Sequence, residues 1–484
     1  MQHLYKPTRL ALILPCLLSA CAHQGGWLMT VGPDYHAPEP PTAQQWHAPP
    51  ISVAHQGKVS NLNQWWANFN DPVLSRLLAA AQSESATIAL AKARIEQSRA
   101  NLIGTDSLLM PRLDAGLASS RSSFSFGQAP FIRNQHAFDL QSSWEVDLFG
   151  GLARQQEASR SQLAARTAAW HDARVAVAAE LATAYVAYRA CQANLQLHKT
   201  DAESRAATAK MLNLANNAGL RNIADAALAT ASASESRNSV VQQQAECDRA
   251  VNGLVAMTGI ATPQLRQLLA QDPLRLAYLP SPPSFVMNAI PAQVLMQRPD
   301  VAAAEREVAE ASAKIGVEQA KRFPRLSLSG NITPVLQNIN GAALTLAETW
   351  SYGPTLSLPI FDAGKRAANV DAAKADYTAA VAQFRATVRT AAKEVEDALV
   401  RLASADQRLP TARSAAGDYR THYQSAQILY QSGLGNLLDA EIARREVVSA
   451  DLAVTALEQE QVGAWIALYR AAGGGWQAEP IARQ

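Results

Sequence analysis

Side chains able to do covalent or metal chemistry are few in this sequence, and they are scattered. Nine histidines occur, with no HExxH pair and no His/Cys cluster at zinc spacing. The glycine run Gly473 to Gly475 is followed by Trp476, not by the Lys of a phosphate-binding loop. No GxSxG elbow is present. Glu394, Glu396 and Asp397 cluster within a long helical stretch, where a solvated face is the expected reading. Neither an enzyme nor a metal or cofactor is therefore expected. The thiols say more. Leu18-Ser19-Ala20 leads into Cys21. Small side chains admit a peptidase and the thiol can be acylated, so Cys21 is the candidate lipidation site; an ordinary signal cleaved near Ala20 or Ala22 is the alternative. Cys191 and Cys247 each lie 28 positions from Gly219. An antiparallel hairpin turning there brings them to one height, and an oxidising compartment would allow a disulfide. Spacing alone leaves open whether they face each other.

The segments around these thiols define the compartment. His3, Lys6 and Arg9 precede the apolar stretch Leu10 to Leu18, which fits a secretory signal at residues 1–20. The approach to Cys21 resembles the lipobox of bacterial lipoproteins. With Ala22 rather than Asp next, that resemblance implies the outer membrane. Residues 21–70 read as a lipidated linker, because Pro33, Pro38, Pro40, Pro41, Pro49 and Pro50 forbid a helix. Asp71-Pro72 then sets a helix start, Asp71 as N-cap and Pro72 at the first helical position. The 484 residues carry a net charge of +2, which gives no reason to expect nucleic acid as a partner. Past the first twenty residues no apolar run reaches the ~18 needed for a membrane helix.

The body reads as two tandem repeats. Met110-Pro111-Arg112-Leu113 recurs 213 positions later as Phe323-Pro324-Arg325-Leu326. Leu148-Phe149 recurs 212 positions on as Ile360-Phe361, and Gly219-Leu220 recurs 214 positions on as Gly433-Leu434. The first repeat spans about 71–280, the second about 281–472, and 473–484 is a tail. Each repeat is expected to hold a helix, two strands (about 112–148 and 325–361) and a long helical hairpin (about 152–257 and 363–470). Ala79 to Ser107 reads as one helix. From Leu152 to Ala218 there is neither Pro nor Gly, enough for a helix on the order of 100 Å. The breaks at Gly219 and Gly433 reverse the chain, and Asp225 and Asp439 stand where caps would follow.

The strands alternate as membrane-barrel strands do. Phe138, Leu140, Ser142, Trp144, Val146 and Leu148 alternate with Asp139, Gln141, Ser143, Glu145 and Asp147. Leu326 to Thr333 and Trp350 to Ile360 repeat the pattern, and Leu113, Ala115 and Leu117 begin a weaker one. Trp144, Trp350, Tyr352, Phe149 and Phe361 are candidate interfacial girdles, and Asp139, Glu145 and Asn331 candidate lumen residues. Four strands cannot close a barrel, so several copies must share one: two would give eight strands, three twelve. The fold class is thus mixed, long coiled-coil helices with a membrane β-barrel.

The order of these motifs carries a family resemblance. The lipobox, Val31-Gly32-Pro33-Asp34-Tyr35, Trp65-Trp66 with Phe69 and Asp71-Pro72, Arg298-Pro299-Asp300-Val301 with Ala304-Glu305 and Gly316, Leu358-Pro359-Ile360-Phe361-Asp362 with Gly364, and Gly473-Gly474-Gly475-Trp476 stand in sequence. Together they resemble the lipoprotein (NodT-type) branch of TolC-like outer-membrane efflux ducts. The resemblance implies a homotrimer with a twelve-stranded barrel on a twelve-helix periplasmic tunnel. It implies a periplasmic adaptor and an inner-membrane pump as partners, with a covalent lipid on Cys21 anchoring the chain to the outer membrane. It places a channel constriction at Leu438, Asp439, Ile442 and Arg445. The adaptor-docking tips would be Gly219, Asn222, Asp225, Gly433 and Asn436. Some members are acidic at the position of Ile442, so the ring here is expected to be more apolar. Other readings of the residues are a lipid-anchored periplasmic coiled-coil scaffold without a pore, and a duct for exported polypeptides.

Overall fold

The computed structural model describes residues 25–40, 46–48, 65–67, 69–125, 127, 130–271, 279–280 and 291–476. Cys21, the expected signal peptide, most of the linker and the tail beyond 476 lie outside these residues. The elements in chain order are α1 (Pro72–Glu84), α2 (Ala86–Ser107), β1 (Arg112–Phe124), β2 (Phe131–Val146), α3 (Gly151–Asn217), α4 (Ile223–Thr258), α5 (Thr262–Leu269), α6 (Pro291–Met296), α7 (Pro299–Ala320), β3 (Arg325–Ile339), β4 (Thr345–Ser357), α8 (Lys365–Gln431) and α9 (Leu437–Ala471). α3 and α8 are 67 residues each, about 100 Å at 1.5 Å per residue. No helix among the described residues is long and apolar enough to cross a membrane.

The chain divides into two compact units. One combines Met1–Glu39, Ala93–Thr167 and Ala303–Arg385. The other combines Pro40–Lys92, Ala168–Ala302 and Ala386–Gln484.

The first unit holds an antiparallel sheet in the order β1-β2-β3-β4. Its strands run 13 to 16 residues, longer than the alternating stretches read from the sequence, but two of them end earlier than the alternation does. β2 stops at Val146, so Leu148 lies in the turn into α3, where Asp147 accepts the Ala153 N–H at 2.8 Å and Gly150 takes a positive φ of 74°. β4 stops at Ser357, before Pro359, which has no N–H to donate to a ladder. Ile360 and Phe361 therefore lie past the strand, and Asp362 caps α8 by accepting from Gly364 and Arg366 N–H.

The same unit seats the described part of the N-terminal strap. Arg154 is buried and donates to Glu157 (2.7 Å), to Asp34 (2.7 Å) and to the Val31 carbonyl (3.3 Å). Its guanidinium holds the Asp34 carboxyl below the usual range. The Tyr35 hydroxyl donates to the buried Glu305 carboxylate; burial, then that carboxylate, push the phenol pKa up. Gly32 passes so close to Gly316 that a Cβ there would stand 2.4 Å from the Gly316 Cα. Only glycine fits, which explains the Val-Gly-Pro-Asp-Tyr motif physically.

The second unit starts from a buried cap. Asp71 accepts the N–H groups of Val73 (2.9 Å) and Leu74 (3.0 Å) and the Tyr185 hydroxyl (2.8 Å), and Tyr185 in turn accepts from Arg189 at 3.0 Å. Leu74 and Leu77 are fully buried beside this network, and Trp65 stacks on Tyr469 at 4.8 Å. The expected single helix from Ala79 to Ser107 breaks at Ser85, which is extended and caps α2 through its hydroxyl to Ile88 N–H (3.4 Å). Arg298 ties three helices together. It grips Asp300 at 2.7 and 3.0 Å at the start of α7, Glu394 of α8 at 2.7 Å and the Ala471 carbonyl of α9 at 3.1 Å. The acidic cluster is thus not merely solvated. Glu394 serves Arg298, Glu396 accepts the His47 and Ala48 N–H groups (both 2.9 Å), and Asp397 pairs with Lys393 at 2.8 Å.

Cys191 of α3 and Cys247 of α4 form a disulfide, with 5.6 Å between their Cα atoms. It closes a separation of 56 residues, for which the chain-entropy model gives about 4 kcal/mol. The Cys191→Ser/Cys247→Ser double variant is expected to unfold its first hairpin at clearly lower denaturant concentration. Two free thiols per chain in the denatured, unreduced protein would contradict the cross-link.

Candidate functional site

Each unit carries one candidate site: the faces of the sheet in the first and the tips of the hairpins in the second. The faces follow from register. Leu140 pairs with Ala115 on one side and Ile332 on the other, and Ile332 pairs with Trp350. The adjacent row runs Asp114, Gln141, Asn331 and Ser351 across the same four strands. Because side chains alternate, these two rows point to opposite faces. One face carries Leu113, Leu117, Phe138, Trp144, Leu328, Tyr352 and Leu356, and the other Asp139, Ser143, Glu145, Ser327, Ser329, Thr333 and Thr355. Of the candidate girdle residues, Trp144, Trp350 and Tyr352 share the apolar face, whereas Phe149 and Phe361 lie past the strand ends.

The polar face is internally bonded. Thr333 donates to Asp139 at 2.7 Å, Ser351 to Asn331 at 2.5 Å, and Arg325 pairs with Glu145 at 3.4 Å. Arg112 pairs with Asp114 at 2.6 Å. Acids and bases balance there, so this face offers water a hydrated wall with no strong net sign. All three sequence-predicted lumen residues, Asp139, Glu145 and Asn331, lie on it.

Both hairpin tips in the second unit use one device. Gly219 (φ 72°) and Gly433 (φ 77°) end α3 and α8 in the left-handed region, where the Leu220 and Leu434 N–H groups reach back to Ala215 and Leu429 carbonyls at 2.8 and 2.9 Å. The returning helices are capped by Asn222, which accepts the Ala224 N–H, and Asn436, which accepts the Asp439 N–H. Asp225 and Asp439 are therefore first-turn acids rather than caps, favourably placed at the positive helix end.

Between the hairpins lies a pocket of about 310 Å³. Asp225, Asn436, Leu438 and Arg445 line it, together with Arg221, Leu228, Leu437 and Glu441. Four of the sequence-predicted residues thus come together. Asp439 and Ile442 do not line it. Leu438 and Ile442 sit one helical turn apart on α9 and are 45 % and 44 % exposed, large apolar side chains left out of the chain's own core.

A charged network beneath the pocket escaped the sequence reading. Arg444 of α9 pairs with Glu441 and with Asp201 of α3 (3.3 Å) and donates to Ser204 at 2.7 Å. Asp201 also holds Arg205 at 2.8 Å, and Arg205 donates to Ser232 of α4 at 3.0 Å. All four charged side chains are buried. The i, i+3 and i, i+4 spacings of Glu441/Arg444 and Asp201/Arg205 were the available signal. Two acids and two bases neutralise each other while locking the second hairpin to the first. Arg444→Ala leaves two buried carboxylates with one cation and is expected to cost about 3–5 kcal/mol in hairpin stability. Arg445→Ala, at the exposed neighbour, should stay within about 0.5 kcal/mol. Denaturant midpoints of the two variants measure the difference.

Comparison with known proteins agrees with this geometry. The chain is 27% identical over 454 residues to the solvent efflux pump outer membrane protein SrpC of Pseudomonas putida, covering 92% of this chain and 95% of that one. It is 27% identical over 475 residues to nodulation protein T of Rhizobium leguminosarum bv. viciae, covering 98% and 94%. The solved outer-membrane channel OprN is similar, with a TM-score of 0.78 at 28% identity over 93% of this chain and 100% of that one. The CmeC outer membrane channel of Campylobacter jejuni shares the fold, with a TM-score of 0.81 at 22% identity over 93% and 95%. The described architecture, mostly helical with a small antiparallel sheet, is that of TolC-like outer-membrane channels. The family model of outer membrane efflux proteins matches residues 77–260 and 290–474, which take in both hairpins and all four strands, and the chain belongs to that family.

Proposed function

We propose that this chain, the outer-membrane channel component of a tripartite efflux system, works as one third of a closed duct. The observation that carries this is the pair of adjacent rows in the sheet, one apolar across four strands and the next polar across the same four. A sheet with one face for lipid and one for water, ending in unpaired edges at β1 and β4, is complete only when further copies supply the neighbouring strands. Three copies give a twelve-stranded barrel, with the paired helices of two tandem repeats per chain forming a twelve-helix tunnel. A pore-free scaffold would have no use for a segregated sheet.

Transport through such a duct is passive. An inner-membrane pump supplies the energy and a periplasmic adaptor joins pump to duct. The cargo class is drugs or other small toxic compounds; relatives are named for efflux of solvents, toluene and antibiotics. A lipid on Cys21 adds an anchor. The tips at Gly219, Asn222, Asp225, Gly433 and Asn436 are the adaptor's docking sites, supported by the exposed apolar Leu220, Ile223 and Leu434 around them. The constriction forms from Leu438, Asp439, Ile442 and Arg445. Opening is an untwisting of α8 and α9 at their Gly433 end.

The test is single-channel recording on the reconstituted protein. Leu438→Ser and Ile442→Ser trim the apolar side chains and should raise conductance above that of the unmodified channel. Unchanged conductance in both would remove these residues from the gate.

A further inference from the structure

Just past β2, the strap leaves three consecutive apolar side chains facing outward. Trp27, Leu28 and Met29 are 47%, 71% and 51% exposed, while Val31, two residues on, is buried. Their backbone is fixed. The Trp27, Leu28 and Val31 N–H groups donate to the carbonyls of Asp147 (2.8 Å), Leu148 (3.0 Å) and Phe149 (3.1 Å). The Arg154 grip and the Gly32–Gly316 contact then hold the next residues. This exposure therefore belongs to a seated segment of the fold.

Its position relative to the sheet is also fixed. The Trp27 ring meets the Trp144 ring edge-on at 6.2 Å. Trp144 stands on the apolar face near the end of β2, and its indole N–H donates to the Leu109 carbonyl at 3.0 Å, at the foot of β1. The exposed Met110 lies beside that contact in sequence. Trp27 thus prolongs the apolar face beyond the strands, at the end where the helices begin, and the exposed Leu28 and Met29 follow it directly in the chain.

We infer that Trp27, Leu28 and Met29 form a wedge that sits among phospholipid headgroups and upper acyl chains at the periplasmic edge of the membrane, a lipid contact separate from the barrel strands. The inference rests on the reading of the sheet's apolar face as lipid-facing. Tryptophan suits that depth, having an apolar body and an N–H for the wet side. Cys21 precedes Gly25 by four residues, a reach of at most about 14 Å, so lipid and wedge would act on one leaflet.

The experiment places the photocrosslinker p-benzoylphenylalanine at Leu28, at His36 further along the strap, or at Tyr352 on the apolar face of β4. Each full-length variant is reconstituted in phosphatidylethanolamine/phosphatidylglycerol vesicles with radiolabelled phospholipid and irradiated. The expected result is lipid adducts at Leu28 and Tyr352 and none at His36. Adducts at Tyr352 without any at Leu28, or a protein–protein adduct at Leu28, would overturn the wedge while leaving the barrel reading standing. No lipid adduct at either position would overturn both.

Discussion

A backbone N–H or C=O without a partner costs several kcal/mol in hydrocarbon, and the sheet of this protein ends in two rows of such groups, on β1 and β4. That constraint organises the rest. A water-exposed sheet could leave its edges to solvent. This one is less free to, because the row Ala115, Leu140, Ile332 and Trp350 presents an apolar band across all four strands. Among the described residues no further strand is left for β1 and β4 to pair with, and in the proposed duct neighbouring copies supply the partners. In the proposed closure by further copies the row Asp114, Gln141, Asn331 and Ser351 lies on the inside, and a water-filled passage follows from the same hydrogen bonds that satisfy the edges.

The helices obey a different economy. Their packing is spread along Ala-rich seams and fixed at a few polar rivets such as Asp71–Tyr185–Arg189 and Arg298 with its three partners. The two hairpins are not equally braced. The first is joined covalently through Cys191 and Cys247. The second is joined by Gln461 to Asp406 at 2.6 Å and by the pairs Arg408–Glu460, Arg413–Glu458 and Arg420–Asp451. Exposed pairs of that kind are worth about 0–1 kcal/mol each and weaken with salt.

Much of this was legible in the sequence because period two and turn chemistry are local. The alternation around Trp144, the cap at Asp71-Pro72 and the reversals at Gly219 and Gly433 needed no partner from elsewhere in the chain. Strand ends were misjudged at Leu148 and Ile360, where capping aspartates and Pro359 override a hydrophobic pattern that continues past the ladder. The break at Ser85 was missed because a lone Ser in an Ala-rich run carries little signal. Least legible were long-range polar contacts. Arg444 meets Ser204 across 240 positions of sequence, and Glu394 was read as solvated because its partner, Arg298, lies 96 positions away.

In the proposed duct one chain supplies an incomplete wall and three complete it. The direct measurement is the native mass of the protein extracted from outer membranes in detergent, corrected for bound detergent. The account predicts a stable species of three chains. A stable single chain would contradict it, since the edges of β1 and β4 would then have to survive in lipid unpaired.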